Sequence, residues 1–386
     1  MAWNEPKYPV QVVNAAGKAL VDAMHSNWED WSPEEWGSYY AHLGVINNWR
    51  SSHAYPLNTF QVNLRLTARR YDANSLVAQR IKRLSSIGHK LDRFPTMKLS
   101  QMQDLGGCRA ILKDVGVARD VFHYYLQKSA MKHERIGVDD YITSPKPSGY
   151  RGVHLVYRYF SDKKKEMYNG LKIEMQLRSR YQHAWATAVE TVGTFSGEAL
   201  KSSLGSDEWQ RFFSLMSSVI AHREKTRIIP ETPQNRRELH AELAHFSSKL
   251  NVIHRLREYS AALKRITGGD GEISEAHLYL LELDPTAGTL KITGFQAHEQ
   301  EEADKRYSEA EARKSKQGGS DAVLVSVESI NSLSKAYPNY FADTRIFVEL
   351  LSQALSGRSR SIAVPDRQLE LLPFAADGNS SFFPSA

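Results

Sequence analysis

Glu174 is the first residue whose surroundings could put it to chemical use. It lies in a run where Leu171, Ile173, Met175 and Leu177 alternate with Lys172, Glu174, Gln176 and Arg178. Upstream, Val153, Leu155, Tyr157 and Tyr159 alternate with His154, Val156 and Arg158. A repeat of two is the signature of a strand with one buried and one open face. The loop Ser161–Gly170 would turn the chain between the two runs. A hairpin of this kind sets His154, Glu174, Gln176 and Arg178 above one sheet surface, with Tyr150 at its lip. The same alternation also describes an edge strand with a solvated polar face. The case for a site therefore depends on what else the chain supplies.

It supplies a second carboxylate and a basic cradle. Asp104 precedes Cys108–Leu112, which reads as a buried strand, so its carboxylate can face a site across the sheet. The segment Gln79–Lys98 holds six Lys or Arg residues against one Asp. A charge run is usually a solvated face. Here Ser85-Ser86-Ile87-Gly88 is expected to interrupt a helix, with Lys90 and Arg93 resuming beyond it. Basic groups around such a turn can hold a polyphosphate, with backbone N–H groups assisting. Gly106-Gly107 is too short a signal to define a phosphate loop.

Other elements must carry these groups. Ser32-Pro33-Glu34-Glu35 is a helix start, and the aromatic residues after it, Trp36, Tyr39 and Tyr40, fall at helical spacing. Thr59–Arg83 is expected to be helical. Pro145, Pro147 and Gly149 make Asp140–Gly149 an irregular loop. Amphipathic helices are expected over Val115–Gln127, Tyr181–Val192 and Asp207–Arg227, and one long helix over Gln234–Ile266, either docked on its own domain or forming a coiled-coil seam. The alternation of helices and strands predicts a mixed α/β fold. The division expected is residues 1–233 as the main domain, 234–267 as a connecting helix, 272–356 as a smaller ββαβα accessory domain and 357–386 as a disordered tail.

Composition narrows the class of function. A net charge of +6 over 386 residues favours a partner that carries phosphates. One cysteine, Cys108, excludes an intrachain disulfide and argues against a thiolate zinc site. No apolar run approaches the roughly 20 residues a membrane helix needs, and the start MAWNEPKYPV lacks the features of a signal peptide. A cytoplasmic protein is expected.

Taken in order, the segments resemble the synthetase domain of the RelA/SpoT alarmone synthetases. Arg80-Ile81-Lys82, Ser86-Ile87, Lys90 and Arg93 are similar to the family's basic motif. Asp104-Leu105 with Arg109 is similar to its Asp-Leu…Arg strand. Asp140-Tyr141-Ile142, Pro145-Lys146, Gly149-Tyr150 and His154 resemble its guanine-site loop, and Glu174-Met175-Gln176-Leu177-Arg178 its Glu-x-Gln-x-Arg strand. Trp185-Ala186 and Glu190 resemble the helix that follows, although Thr191 stands where the family often has His. No His-Asp dipeptide occurs, so the hydrolase domain of long family members is not expected.

The resemblance implies a nucleotidyltransferase-like fold with a mixed sheet and flanking helices. It implies transfer of the β,γ-pyrophosphate of ATP to the ribose 3′-hydroxyl of GDP or GTP, which makes (p)ppGpp. It also implies Mg²⁺ held by Asp104 and Glu174, with Glu174 the candidate base. ATP would be bound by Arg80, Lys82, Ser86, Lys90, Arg93 and Arg109, with Arg80 and Arg109 sandwiching the adenine. The acceptor would meet Lys146, Tyr150, His154, Gln176 and Arg178. Toxic relatives act instead on the tRNA 3′ end or on adenosine nucleotides, so these remain alternative acceptors. A binding module without catalysis is a third possibility, weakened by the presence of both carboxylates. A homo-oligomer is compatible with all of them.

Overall fold

The computed structural model describes residues 3–82, 84–196, 207–267, 276, 278–284, 289–299, 302–303, 305–306, 321–326 and 344–357. Three helices open the chain: α1 (Val10–Met24), α2 (Pro33–Ser52) and α3 (Ala54–Tyr71). Helix α2 starts where expected. Ser32 caps it by accepting from the Glu35 N–H, Glu35 reaches back to the Ser32 N–H, and Pro33 occupies the first turn. Next come β1 (Leu76–Ile81), α4 (Leu84–Arg93), β2 (Gly106–Leu112), α5 (Val115–Gln127), β3 (Glu134–Asp140), β4 (Val153–Arg158) and β5 (Lys172–Ser179). Helices α6 (Arg180–Ser196), α7 (Asp207–Glu224), α8 (Arg236–Lys249) and α9 (Val252–Thr267) follow. The last described elements are β6 (Leu278–Asp284), β7 (Thr289–Phe295), β8 (Asp321–Ser326) and α10 (Arg345–Ser356).

The five-stranded sheet runs in the order β1-β2-β5-β4-β3. Only the β2–β5 pair is parallel; β1–β2, β5–β4 and β4–β3 are antiparallel. This is the mixed α/β architecture the alternating pattern predicts. The buried face of the sheet packs on α3 and α5 through Phe60, Leu64, Cys108, Ala110, Leu155, Ile173 and Met175. The polar faces of β2, β4 and β5 are thereby turned together to the other side.

Four expectations need correction. The helix over Thr59–Arg83 ends at Tyr71, and Leu76–Ile81 is a strand. Asp72 ends the helix with extended backbone, accepts from the Asn74 and Lys113 N–H groups, and sends the chain to pair with β2. Sheet pairing here overrides helix propensity. Ser85–Gly88 lies inside α4 and does not interrupt it. Gly88 serves packing, since a Cβ there would sit 2.6 Å from Met24 Sδ on α1. The strand β3 occupies 134–140, where no element was expected, and Asp140 closes it. The single helix over Gln234–Ile266 is two helices, broken at Asn251, whose φ is +48°.

The accessory unit also departs from the expected boundary. Strands β7-β6-β8 form an antiparallel sheet of three, with β6 and β7 the expected hairpin. The final helix, α10, packs into the layer formed by α6, α7, α8 and α9. Phe347, Leu350 and Leu351 are buried there with Trp185, Phe212, Phe213, Leu239, Leu243 and Leu256. The apolar faces of α8 and α9 are therefore used within this chain, as the docked alternative requires. A sequence boundary placed at 268–271 does not divide this core. Residues 268–271, 307–320 and 327–343 and the tail beyond 357 lie outside the described residues.

Candidate active site

Strand register decides which side chains meet. Arg80, Gly107 and Glu174 lie in one row across β1, β2 and β5. Arg109, Gln176 and His154 form the next row across β2, β5 and β4. Residues of both rows line a cleft partly open to solvent, whose lining includes Arg80, Lys82, Asp104, Gly107, Arg109, Glu174 and Gln176.

In this cleft Asp104 receives two ammonium groups. Lys82 Nζ donates to Oδ2 at 2.9 Å, and Lys90 Nζ donates to Oδ1 at 2.8 Å. Burial works to raise the Asp104 pKa, but the two lysines outweigh it and hold the carboxyl below its ordinary range. Lys82 reaches this point from the end of β1, and Lys90 from α4.

The side chains of β4 and β5 form a connected chain. Glu174 Oε1 is 2.8 Å from His154 Nδ1, and Glu174 Oε2 accepts from Gln176 Nε2 at 2.6 Å. His154 Nε2 lies 2.5 Å from the Tyr150 hydroxyl. Arg178 donates to that hydroxyl and, at 3.0 Å, to Gln176 Oε1, which also accepts from Arg109 Nε at 3.2 Å. Burial opposes ionisation of Glu174, yet the charge and hydrogen bond of His154 and the Gln176 amide hold its pKa near 2. For His154, burial is outweighed by Tyr150 and Glu174, and its pKa rises to about 9. The Tyr150 phenol is drawn down to about 8 by Arg178 and His154 against its own burial. The alternating run thus delivers an ionised carboxylate inside a network of donors, and not merely a solvated strand face.

Tyr150 is fixed from both sides. The Arg178 guanidinium carbon lies 4.8 Å from its ring centroid, and the Tyr141 ring meets it edge-on at 5.7 Å. Lys146 Nζ sits 4.3 Å above the Tyr141 ring at the solvent side. Asp140 anchors the start of this loop, accepting from the Ile142 and Thr143 N–H groups and pairing with Arg119.

Two expected contributors lie apart. Ser86 and Arg93 are on α4 but do not line the cleft, and Arg93 is exposed beside the Phe94 ring. One contributor escaped the sequence reading. Buried Arg151 donates to Ser217 Oγ at 2.8 Å and to the Arg227 carbonyl at 2.7 Å, and Ser217 donates to the Gly149 carbonyl at 2.7 Å. The Tyr150 loop is thereby clamped to α7. An arginine next to a Gly-Tyr pair is the only trace of this clamp in the sequence, and its partners lie 66 to 76 positions away.

The donor set suits a divalent cation bound together with a nucleotide. Mg²⁺ is commonly held by one or two carboxylates plus substrate phosphates, and Asp104 and Glu174 line the same cleft in ionised form. No cluster of three or more acidic, His or Cys residues that could hold a metal by itself occurs among the described residues. No helix among them is long and apolar enough to cross a membrane.

Comparison with known proteins gives one family match. The family described as "Region found in RelA / SpoT proteins" matches residues 79–193, the span that holds every candidate site residue. No curated protein matches the sequence. Among solved structures, small alarmone synthetase 1 from Bacillus subtilis bound to its product pppGpp aligns at 22% identity over 45% of this chain and 89% of that one, with a TM-score of 0.39. Small alarmone synthetase 2 from the same organism aligns at 20% identity over 46% and 92%, with a TM-score of 0.38. A GTP pyrophosphokinase family protein from Streptococcus pneumoniae aligns at 25% identity over 44% and 84%, with a TM-score of 0.36.

Proposed function

Since residues 79–193 form a RelA/SpoT-type synthetase domain, we propose that the chain transfers the β,γ-pyrophosphate of ATP to the ribose 3′-hydroxyl of GDP or GTP. The acceptor 3′-oxygen would attack the β-phosphorus. Its bond to the α,β-bridging oxygen would break, AMP would leave with that electron pair, and the 3′-hydroxyl proton would pass to a base. The observation that carries this reading is a single cleft lined by two carboxylates, Asp104 and Glu174, together with Arg80, Lys82 and Arg109.

Phosphoryl-type transfer depends on positioning and charge neutralisation more than on covalent help from the protein. Lys82 and Lys90 bring positive charge for the ATP phosphates, and Arg80 and Arg109 offer guanidinium planes for the adenine. Tyr150 would stack on the acceptor base, its hydroxyl held by His154 and Arg178. Asp104 and Glu174 would hold Mg²⁺, which when bound supplies neutralising charge at the phosphate oxygens. A carboxylate held near pKa 2 stays ionised and is a good cation ligand but a weak proton acceptor. Glu174 therefore suits the ligand role more directly than the role of base.

The acceptor is tested by incubating the protein with Mg²⁺ and γ-labelled ATP, with GDP, GTP, AMP, ADP or deacylated tRNA in separate reactions. Label on GDP or GTP is expected. Label on tRNA or an adenosine nucleotide would replace the acceptor and keep the chemistry, whereas no transfer to any acceptor would leave a binding module.

A further inference from the structure

We infer that Gly107 is a specificity-determining position: its missing side chain is the floor against which the donor nucleotide lies. The inference rests on the ATP reading of the cleft and adds to it the surface that ATP must approach. In the register, Gly107 is paired on one side with Arg80 and on the other with Glu174. The residue that would separate a guanidinium offered to the base from a carboxylate at the reacting end is thus the one without a side chain. A Cβ built at Gly107 meets nothing within 4 Å except the Glu174 carbonyl oxygen at 3.8 Å, and Gly107 itself lines the cleft. Its φ is not positive, so the backbone does not require glycine. Neither strain nor packing explains this glycine. A glycine inside a strand commonly marks the close approach of a ligand.

Its neighbour shows the contrast. Gly106 faces the opposite way, and a Cβ there would lie 2.8 Å from Ile173 Cδ1 and 3.4 Å from His53 Cβ. Gly106 is therefore required by the core, and Gly107 by what enters the cleft.

The test titrates an ATP analogue carrying a methylene β,γ bridge, with Mg²⁺, into the wild type and the Gly107→Ala, Gly107→Val and Gly106→Val variants, and follows thermal unfolding of each. Gly107→Ala should melt at or above the wild-type temperature, because a strand glycine is replaced by a Cβ that meets no clash. Gly107→Ala should nevertheless bind the analogue about 10-fold or more weakly, because the added methyl stands where the nucleotide must lie. Gly107→Val should not bind detectably. Gly106→Val should show the reverse, a lowered melting temperature with wild-type affinity in the folded fraction. Wild-type affinity in folded Gly107→Val would overturn the inference and leave the ATP reading intact. So would unfolding of Gly107→Ala, since the space would then serve packing. Absence of binding by the wild type would remove the ATP reading, and the inference with it.

Discussion

Arg223 on α7 donates from Nη1 to Gln353 Oε1 on α10 at 2.8 Å, which ties the last described helix to the one that clamps the Tyr150 loop. On the same pair of helices the Phe347 ring centroid lies 6.3 Å from that of Phe212 and 5.9 Å from that of Phe213. Gly149 approaches the same helix closely: a Cβ there would lie 3.0 Å from the Phe213 carbonyl oxygen. The accessory segment thus ends in contact with the support of Tyr150.

Truncation after Thr267 is therefore expected to expose an apolar face and cause aggregation. Phe347→Ala is the graded form of the experiment. It should cost about 3–5 kcal/mol, the usual range for a fully buried phenylalanine. Denaturant unfolding measures the loss, and a soluble truncated protein with wild-type stability would refute the shared core.

Glu174→Gln keeps the shape and the apolar underside of β5 but removes the charge that His154 and Gln176 hold in place. Transfer should fall by about 10³-fold or more if a metal ligand is lost, with circular dichroism unchanged. The pKa of His154 should fall as well, because the Glu174 charge is one of the causes that raise it. Carbon- and nitrogen-detected titration of the imidazole by NMR reads this without reference to activity. Near-normal turnover would remove Glu174 from the chemistry.

Arg151→Ala tests the clamp. Glu224 is buried near Arg151 and receives Gln182 Nε2 at 2.9 Å. Losing the guanidinium leaves the buried Ser217 hydroxyl and Arg227 carbonyl without their donor, and stability should fall by about 1–3 kcal/mol. In the folded fraction the KM for the acceptor should rise more than the KM for ATP, because Tyr150 is the group that loses its support. Arg151→Lys should recover stability only in part, since one ammonium cannot reproduce the two directed bonds to Ser217 and Arg227. Equal changes in both KM values would show a general loss of structure.

Stability should also depend on pH through His53, which lies fully buried at the start of α3 with its Nδ1 2.7 Å from the Trp49 carbonyl oxygen. Burial, aided by Lys172 and opposed by that carbonyl, lowers its pKa to about 4. The unfolded chain titrates near 6.5, so between these values it takes up a proton that the folded chain refuses. The contribution of His53 is complete above pH 6.5 and is lost as the pH falls toward 4, with about 2 kcal/mol gone by pH 5. Denaturant unfolding at pH 7.5 and pH 5 should show the fall, and His53→Gln should flatten it. An equal slope in the variant would assign the acid sensitivity to other groups.

The sequence by itself determined two strands, β4 and β5, and which residues share their polar face. Period-two alternation at Val153–Tyr159 and Leu171–Arg178 is a local property, and it placed His154, Glu174 and Gln176 on one polar face. Proline and glycine spacing likewise marked the Tyr150 loop, and Ser32 with Glu35 marked the start of α2. Only the tertiary structure decided what lies across from what. Leu76–Ile81 became a strand because β2 offered a partner, and that pairing brought Arg80 into line with Gly107 and Glu174. Arg151 found Ser217 and Arg227 by the packing of α7, and α10 crossed the expected boundary to fill an apolar layer it meets through hydrogen bonds spanning 88 to 130 positions. Periodicity is written in neighbouring residues, whereas register, burial and closure depend on contacts between segments that the chain order keeps apart.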